Sequence, residues 1–233
     1  TELITWQPRV NFFSNTAKIT KLGVPAYNSG GFGAGYGANR IQEGVSPTAI
    51  FGRQNLGTTP STPGVAAGTY NLSKPAGDAN PMFQVGFANS LNIGNLNFYF
   101  LIDWRQGGNV VNLTQALYTE GGLYKDQAEQ ARILAEAAKP ASQGGTTPYI
   151  QDASFVKFRE VSLNYTFDKQ ALGGDTFEFL RIGVSGRNLL TITPYTGYDP
   201  EVSNFGNIIT SGGQDVAPFP SSRSFFFNIA VGF

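Results

Sequence analysis

Arg223-Ser-Phe-Phe-Phe-Asn-Ile-Ala-Val-Gly-Phe233 is the stretch that decides the fold. From Phe225 onward every odd position is large and apolar: Phe225, Phe227, Ile229, Val231 and Phe233. The even positions Ser224, Asn228, Ala230 and Gly232 are small or polar, with Phe226 the exception. A period of two marks a strand with one apolar face. Its length matches the about nine to eleven residues that a tilted strand needs to cross a bilayer. The last strand of a soluble sandwich would read the same way, so the discriminating signal lies elsewhere in the chain.

The nearest equal of this strand is a hairpin. Phe83–Ile93 alternates Phe83, Val85, Phe87, Leu91 and Ile93 against Gln84, Gly86, Ala88, Ser90 and Asn92. Gly94-Asn95 makes a tight turn. Leu96–Trp104 then alternates Leu96, Phe98, Phe100, Ile102 and Trp104 against Asn97, Tyr99, Leu101 and Asp103. Ser154–Phe167 sets Val161, Leu163, Tyr165 and Phe167 on one face, with Lys157 and Arg159 sharing the apolar parity at its start. In a sandwich core that would be an error. In a membrane strand it sets two cations at the level of the lipid phosphates. After a turn over Asp168–Thr176, Phe177–Leu190 returns with Leu180, Ile182 and Val184 opposite Arg181, Gly183, Ser185 and Arg187. Leu3–Phe13 alternates Ile4, Trp6, Val10 and Phe12 against Thr5, Gln7, Arg9 and Asn11. Pro8 cannot donate to a ladder and predicts a bulge or an edge there.

The connections alternate long, short, long, short, long. Ser14–Pro81, Gln106–Ala153 and Thr191–Ser222 are the long ones and show no sustained period. The first holds the glycine run Gly30–Gly37 and the stretch Thr58–Gly64. No hydrophobic strand leads into the glycine run and no helical pattern follows it, so a nucleotide loop is not the expected reading. Asp126–Lys139 is Ala-rich and stopped by Pro140, so it predicts a short surface helix. Long loops at one end and short turns at the other are the plan of an outer-membrane barrel. Six strands so ordered put the C-terminus on the short-turn side.

Composition agrees. Charged residues make up 14% of the chain and aromatics 13%, with 19 Phe and 29 Gly. The charged fraction of an ordinary soluble domain is about 25%. Mean hydropathy is nevertheless −0.15, as expected where each strand is only half apolar. Formal net charge is zero, so nothing indicates a nucleic-acid partner. With no Cys and no His, the chain lacks disulfides, thiol nucleophiles, Cys/His zinc ligands and a Ser-His-Asp triad. No pair of carboxylates has a basis for catalytic placement, and neither an enzyme activity nor a cofactor is expected. The chain opens on Thr1 in strand-like sequence and is expected to be part of a longer one.

Several stretches resemble one family, the SusC/RagA-type TonB-dependent outer-membrane transporters. Pro81–Leu91 followed by Phe100–Asn112 resembles a late hairpin of that family, and Asp152–Thr166 its next strand. Val184-Ser-Gly-Arg-Asn-Leu-Leu190 with Tyr195-Thr-Gly-Tyr-Asp-Pro-Glu-Val-Ser203 resembles the penultimate strand and loop. Ile41–Gly52, Pro220, Arg223 and the terminal Phe233 complete the likeness. The resemblance implies an all-β fold: a transmembrane antiparallel β-barrel, of which residues 1–233 would be the C-terminal portion. That portion is about six strands of about 22, with long outer loops and without the plug or the earlier strands. It implies import of oligosaccharides or peptides across the bacterial outer membrane. The implied partners are the rest of the barrel and plug, a SusD-like surface lipoprotein, TonB through the absent N-terminal part, and membrane lipid. The C-terminus would be periplasmic and the long loops extracellular. Two alternatives stay open on the residues alone, a soluble carbohydrate-binding β-sandwich and a small barrel or adhesin.

Candidate ligand contacts fall in two places. Tyr99, Asp103, Arg105, Arg181 and Arg187 lie on the polar parity of their strands. They suit a lumen wall touching plug or substrate, or the polar interior that every large barrel has, paired with itself and with water. Tyr195, Tyr198, Asp199 and Glu201 lie in an outer loop, where aromatic rings beside carboxylates suit sugars or simply pack the loop. Asp199 and Glu201 offer too few oxygens for a Ca²⁺ site, and no metal is expected.

Overall fold

In chain order the strands are β1 (Ile4–Phe13), β2 (Tyr27–Ser29), β3 (Ala38–Ile41), β4 (Ala49–Phe51), β5 (Gly77–Asp78), β6 (Phe83–Ile93) and β7 (Leu96–Gln106). They continue with β8 (Asn109–Asn112), β9 (Ile150–Asp152), β10 (Phe155–Asp168), β11 (Phe179–Ile192), β12 (Gln214–Asp215) and β13 (Ser224–Gly232). The helices are α1 (Leu113–Glu120), α2 (Gln127–Ala137) and the single-turn α3 (Lys169–Leu172). The computed structural model describes residues 3–29, 36–52, 75–137, 147–174, 176–201, 213–219 and 221–233. Most of the glycine run 30–37, all of the stretch 58–64 and the end of the expected helix at 138–140 lie outside those residues.

The long strands form one antiparallel sheet in the order β1-β6-β7-β10-β11-β13. Its register keeps apolar residues together strand after strand. Trp6 faces Leu91 and Val10 faces Phe87. Phe87 faces Ile102 and Leu91 faces Phe98. Leu163 faces Phe98 on one side and Val184 on the other. Val184 faces Phe227, and Ile182 faces Ile229. Except at the start of β10, the parity of the sequence is therefore the parity of the sheet. Among the described residues nothing covers this apolar face: Trp6, Val10, Phe12, Leu163, Val184, Phe225, Phe227 and Ile229 are all exposed, Phe225 by 76%. A sandwich would bury such a face under a second sheet.

The opposite face is polar, and one row runs across it. Thr5, Asn92, Asn97, Asn164, Gly183 and Asn228 are successive cross-strand partners on the sheet's six strands. Asn97 Nδ2 donates to Asn92 Oδ1 at 2.7 Å. Gly183 is the gap in the row because a Cβ there would overlap the Asn164 and Asn228 amides.

Two expectations are corrected. The sheet is open, with β1 and β13 as its edges, and is neither closed nor curled into a transmembrane β-barrel. Alternation specifies one apolar face; closure depends on strand number, tilt and stagger, which alternation does not carry. Pro8 accordingly sits on an edge strand, paired in regular register with Asn89. The second correction concerns Lys157 and Arg159. The register of β10 shifts between Phe158 and Glu160 against both neighbours. This bulge adds a residue and reverses the parity upstream of it. Val156 and Phe158 join the apolar face opposite Trp104 and Ile102, while Lys157 faces Asp103 on the polar side.

The buried core lies outside the large sheet. Gly107 and Gly108, with φ of 75° and 86°, turn the chain from β7 into β8, a backbone that side-chain-bearing residues seldom adopt. From there β12-β8-β9 and β2-β3-β4-β5 form two small sheets. Val111, Ile50 and Leu113 pack as one cluster, Val110, Ala153 and Tyr195 as another. Helices α1 and α2 bury Ala116, Ile133 and Ala137 around Tyr149. Asn112 caps α1, its Oδ1 accepting from the Gln115 N–H at 2.8 Å. The long connections thus make a folded layer at one end of the sheet. At the other end, Gly94, with φ of 52°, turns the β6–β7 hairpin. There Asp168 caps the single turn of α3.

Candidate functional site

Where β7 and β10 meet the folded layer, the polar face gathers charge. Lys157 Nζ donates to Asp199 Oδ1 at 2.7 Å and to Glu201 Oε2 at 2.5 Å. Arg159 Nη2 reaches Asp103 Oδ2 at 2.6 Å, and its Nη1 reaches Glu201 Oε2 at 2.7 Å. Gln84 Nε2 adds a donor to Asp103 at 3.0 Å. Arg105 lies alongside and donates from Nη2 to the Ala79 carbonyl at 2.8 Å, while its buried Nε has no partner among the described residues. Burial works to raise the Asp199 carboxyl, but the Lys157 ammonium and the Glu201 N–H outweigh it and hold it below the usual range. Burial likewise opposes ionisation of Glu201, and Arg159 and Lys157 overcome it. A buried ammonium tolerates its site only when well paired, and Lys157 has two carboxylates. The cluster is internally neutral, so its chemistry is attachment: it fastens the turn ending at Glu201 to the sheet.

Tyr195 serves the same turn. It is buried, and its hydroxyl donates to Asp215, which also accepts from Thr114 Oγ1 at 2.5 Å. Burial first, and then the Asp215 carboxylate, push its ionisation far up. Thr193 Oγ1 bonds the Ser154 carbonyl at 2.6 Å, and Thr196 bonds Gln151 Oε1 from both N–H and Oγ1.

Between that turn and α1 opens a cleft of about 250 Å³, lined by Asn112, Thr114, Gln115, Tyr118, Tyr124, Thr196, Gly197 and Tyr198. The structure therefore divides the candidate residues. Asp103, Asp199 and Glu201 come together with Arg105 beside them, Tyr195 lies under the turn, and Tyr198 opens onto the cleft. Tyr99 stands apart, between Ser90 and Ser162 on the polar face. Arg187 is exposed, with Nε 3.4 Å from Glu160 Oε2 and its guanidinium over Phe226. Arg181 Nε donates to Thr166 Oγ1 at 3.0 Å near the short-turn end. Sequence reasoning missed Lys157 and Arg159 as partners of these carboxylates, and Tyr118 and Tyr124 as partners of Tyr198. The signal for the second pair was Asn112 before Leu113-Thr-Gln-Ala, a helix start.

No protein-family model matches the chain. TonB-dependent receptor P26 of Formosa agariphila is 31% identical over 173 residues, which are 67% of this chain and 17% of the receptor. TonB-dependent receptor P3 of the same organism is 29% identical over 172 residues, 69% of this chain and 17% of the receptor. The RagAB peptide transporter superposes with a TM-score of 0.65 at 19% identity, over 99% of this chain and 27% of that one. The chain is distantly similar to TonB-dependent receptors. It spans about a sixth of the length of the curated relatives it matches. The RagAB structures share its fold over almost the whole of its length. The relatives in sequence are TonB-dependent receptors and not enzymes, and the RagAB structures add a likeness of fold alone.

Proposed function

We propose that the chain is a section of the wall of a bacterial outer-membrane importer that takes up oligosaccharides or peptides with energy delivered through TonB. The observation that carries this reading is the two-sidedness of the open sheet. One face is apolar on all six strands, exposed along β1 and β13 and half-buried across most of β6 and β7, and the other carries a row of amides and hydroxyls. Soluble proteins seldom expose apolar patches beyond a few hundred Å². Such a face fits lipid, and its polar reverse fits a watery path. The folded layer then stands outside the membrane, where a SusD-like lipoprotein caps it, and the short turns face the periplasm.

Within this reading the candidate residues take different parts. Asp103, Asp199, Glu201 and Tyr195 hold the turn in place, and Arg105 supports Asp103 and Glu201. Tyr198 meets the ligand at the outer layer. Tyr99 and Arg187 line the watery face. The test is uptake in the native bacterium. Disruption of the gene carrying this chain abolishes energy-dependent uptake of one oligosaccharide or peptide class, and loss of TonB does the same. Uptake that persists without TonB overturns the reading.

A further inference from the structure

The cleft between α1 and the Thr196–Tyr198 turn has features that neither fastening the turn nor forming a wall requires. Tyr118, Tyr124 and Tyr198 open onto it, and their hydroxyls have no hydrogen-bond partner among the described residues. Gln115 is buried, and its Oε1 is taken by Gln151 Nε2 at 2.6 Å. Its own Nε2 has no partner among the described residues and is not sealed from solvent. Among the described residues the cleft is therefore lined by three tyrosines with unpartnered hydroxyls and by an amide with unused donors, and by no charged side chain.

Its walls are fixed in advance. Tyr124 packs on the Ala116–Ile133–Tyr149 cluster. Asn112 is spent on capping α1. Thr196 is tied to Gln151. A preformed site binds without the cost of ordering its side chains.

We infer that this cleft binds one uncharged sugar unit. A pyranose ring offers an apolar C–H face to an aromatic ring and hydroxyls that both donate and accept, matching tyrosine rings beside phenol and amide groups. A uronate, a sulfated sugar or a peptide terminus would bring a charge with no counter-charge among the described residues, since the neighbouring ion cluster is neutralised internally. Seating an unpaired charge out of water is costly. The cleft, at about 250 Å³, is smaller than the ~300–1,000 Å³ typical of ligand pockets. It holds a single ring while the rest of an oligomer lies outside. The inference rests on the import reading for its biological meaning but is tested separately from it.

The intact native protein carrying this chain is purified in detergent. It is titrated with uncharged glucan, xylan and mannan oligosaccharides, with oligouronates, and with an N-acetylated, amidated tripeptide. Saturation-transfer NMR and calorimetry report binding. At least one neutral oligosaccharide binds, with transfer strongest at ring C–H protons. Tyr198→Ala and Tyr118→Ala each weaken it about tenfold or more, while Tyr198→Phe costs only a fewfold. Unchanged circular dichroism and melting of the variants exclude misfolding. The inference is overturned if no neutral oligosaccharide binds, if the uronate or peptide binds best, or if both alanine variants bind like the parent. Uptake by TonB-competent and TonB-deficient cells is measured in parallel. TonB-dependent peptide uptake without glycan binding sinks this inference alone. Glycan binding without TonB-dependent uptake sinks the import reading alone.

Discussion

Lys157 and Asp199 form a buried ion pair of 2.7 Å that joins strand β10 to the turn ahead of Glu201. Glu201 shares the same ammonium at 2.5 Å. Losing one carboxylate therefore leaves Lys157 half-paired out of water. Breaking one side of a buried pair commonly costs ~3–5 kcal/mol, and the surviving Glu201 contact puts Asp199→Ala at the lower end. Asp199→Asn, which keeps the volume and removes the charge, should fall between it and the parent. Denaturant unfolding in detergent measures all three, and an unchanged midpoint for Asp199→Ala would show that the pair contributes nothing.

The same pair sets a pH dependence. Asp199 and Glu201 are both held below their usual range in the folded state. A depressed carboxyl contributes stability that is complete above its unfolded value, roughly 4. That stability is lost as pH falls through the folded values. The turn at 193–201 should therefore keep its hydrogen-exchange protection from about pH 5 to pH 8 and lose it progressively below about pH 4. Protection that declines between pH 5 and pH 8 would point to a different group.

Gly183 tests the amide row. A Cβ there would run into the Asn164 and Asn228 amides on both neighbouring strands. Gly183→Ala should destabilise by about 1–3 kcal/mol, the usual cost of overpacking. Gly183→Ala combined with Asn228→Ala, which clears one of the two amides, should recover part of the loss. No recovery would mean that the clash is not what limits the site.

Charge placed on the two faces should not cost the same. Ile182→Arg enters the apolar face beside Ile229, whereas Ser185→Arg enters the polar face beside Ser162. On a lipid-facing strand the first costs ~2–4 kcal/mol and the second much less. Equal unfolding free energies would contradict a lipid-facing sheet.

The six long strands were legible because alternation over nine residues or more is a strong signal, and β6 starts and stops where its pattern does. The folded layer was not legible. Its strands run two to four residues, too short for a period to register. Its core is assembled from segments far apart, as when Ile50 packs with Leu113. The bulge at Phe158/Glu160 did leave a trace, two cations on an apolar parity, but the membrane surface offered a ready explanation for it. Asp199 and Glu201 were readable as a loop pair, whereas their cations lie more than forty residues upstream and only the sheet register brings them near. Tyr198 was found by its loop. Tyr118 and Tyr124 were hidden within a connection whose first helix, α1, showed only its Asn112 cap.

On the proposed function the apolar face of the open sheet meets lipid. Spin labels placed singly at Leu163, Val184, Phe227 and Ile229, and at Ser162, Ser185 and Asn228, in the native protein in lipid vesicles report which face does so. Collision with oxygen, which partitions into hydrocarbon, should be high at the first four. Collision with a water-soluble nickel complex should be high at the last three. Equal oxygen accessibility on the two faces, or nickel access throughout the first set, would mean that this face does not meet lipid.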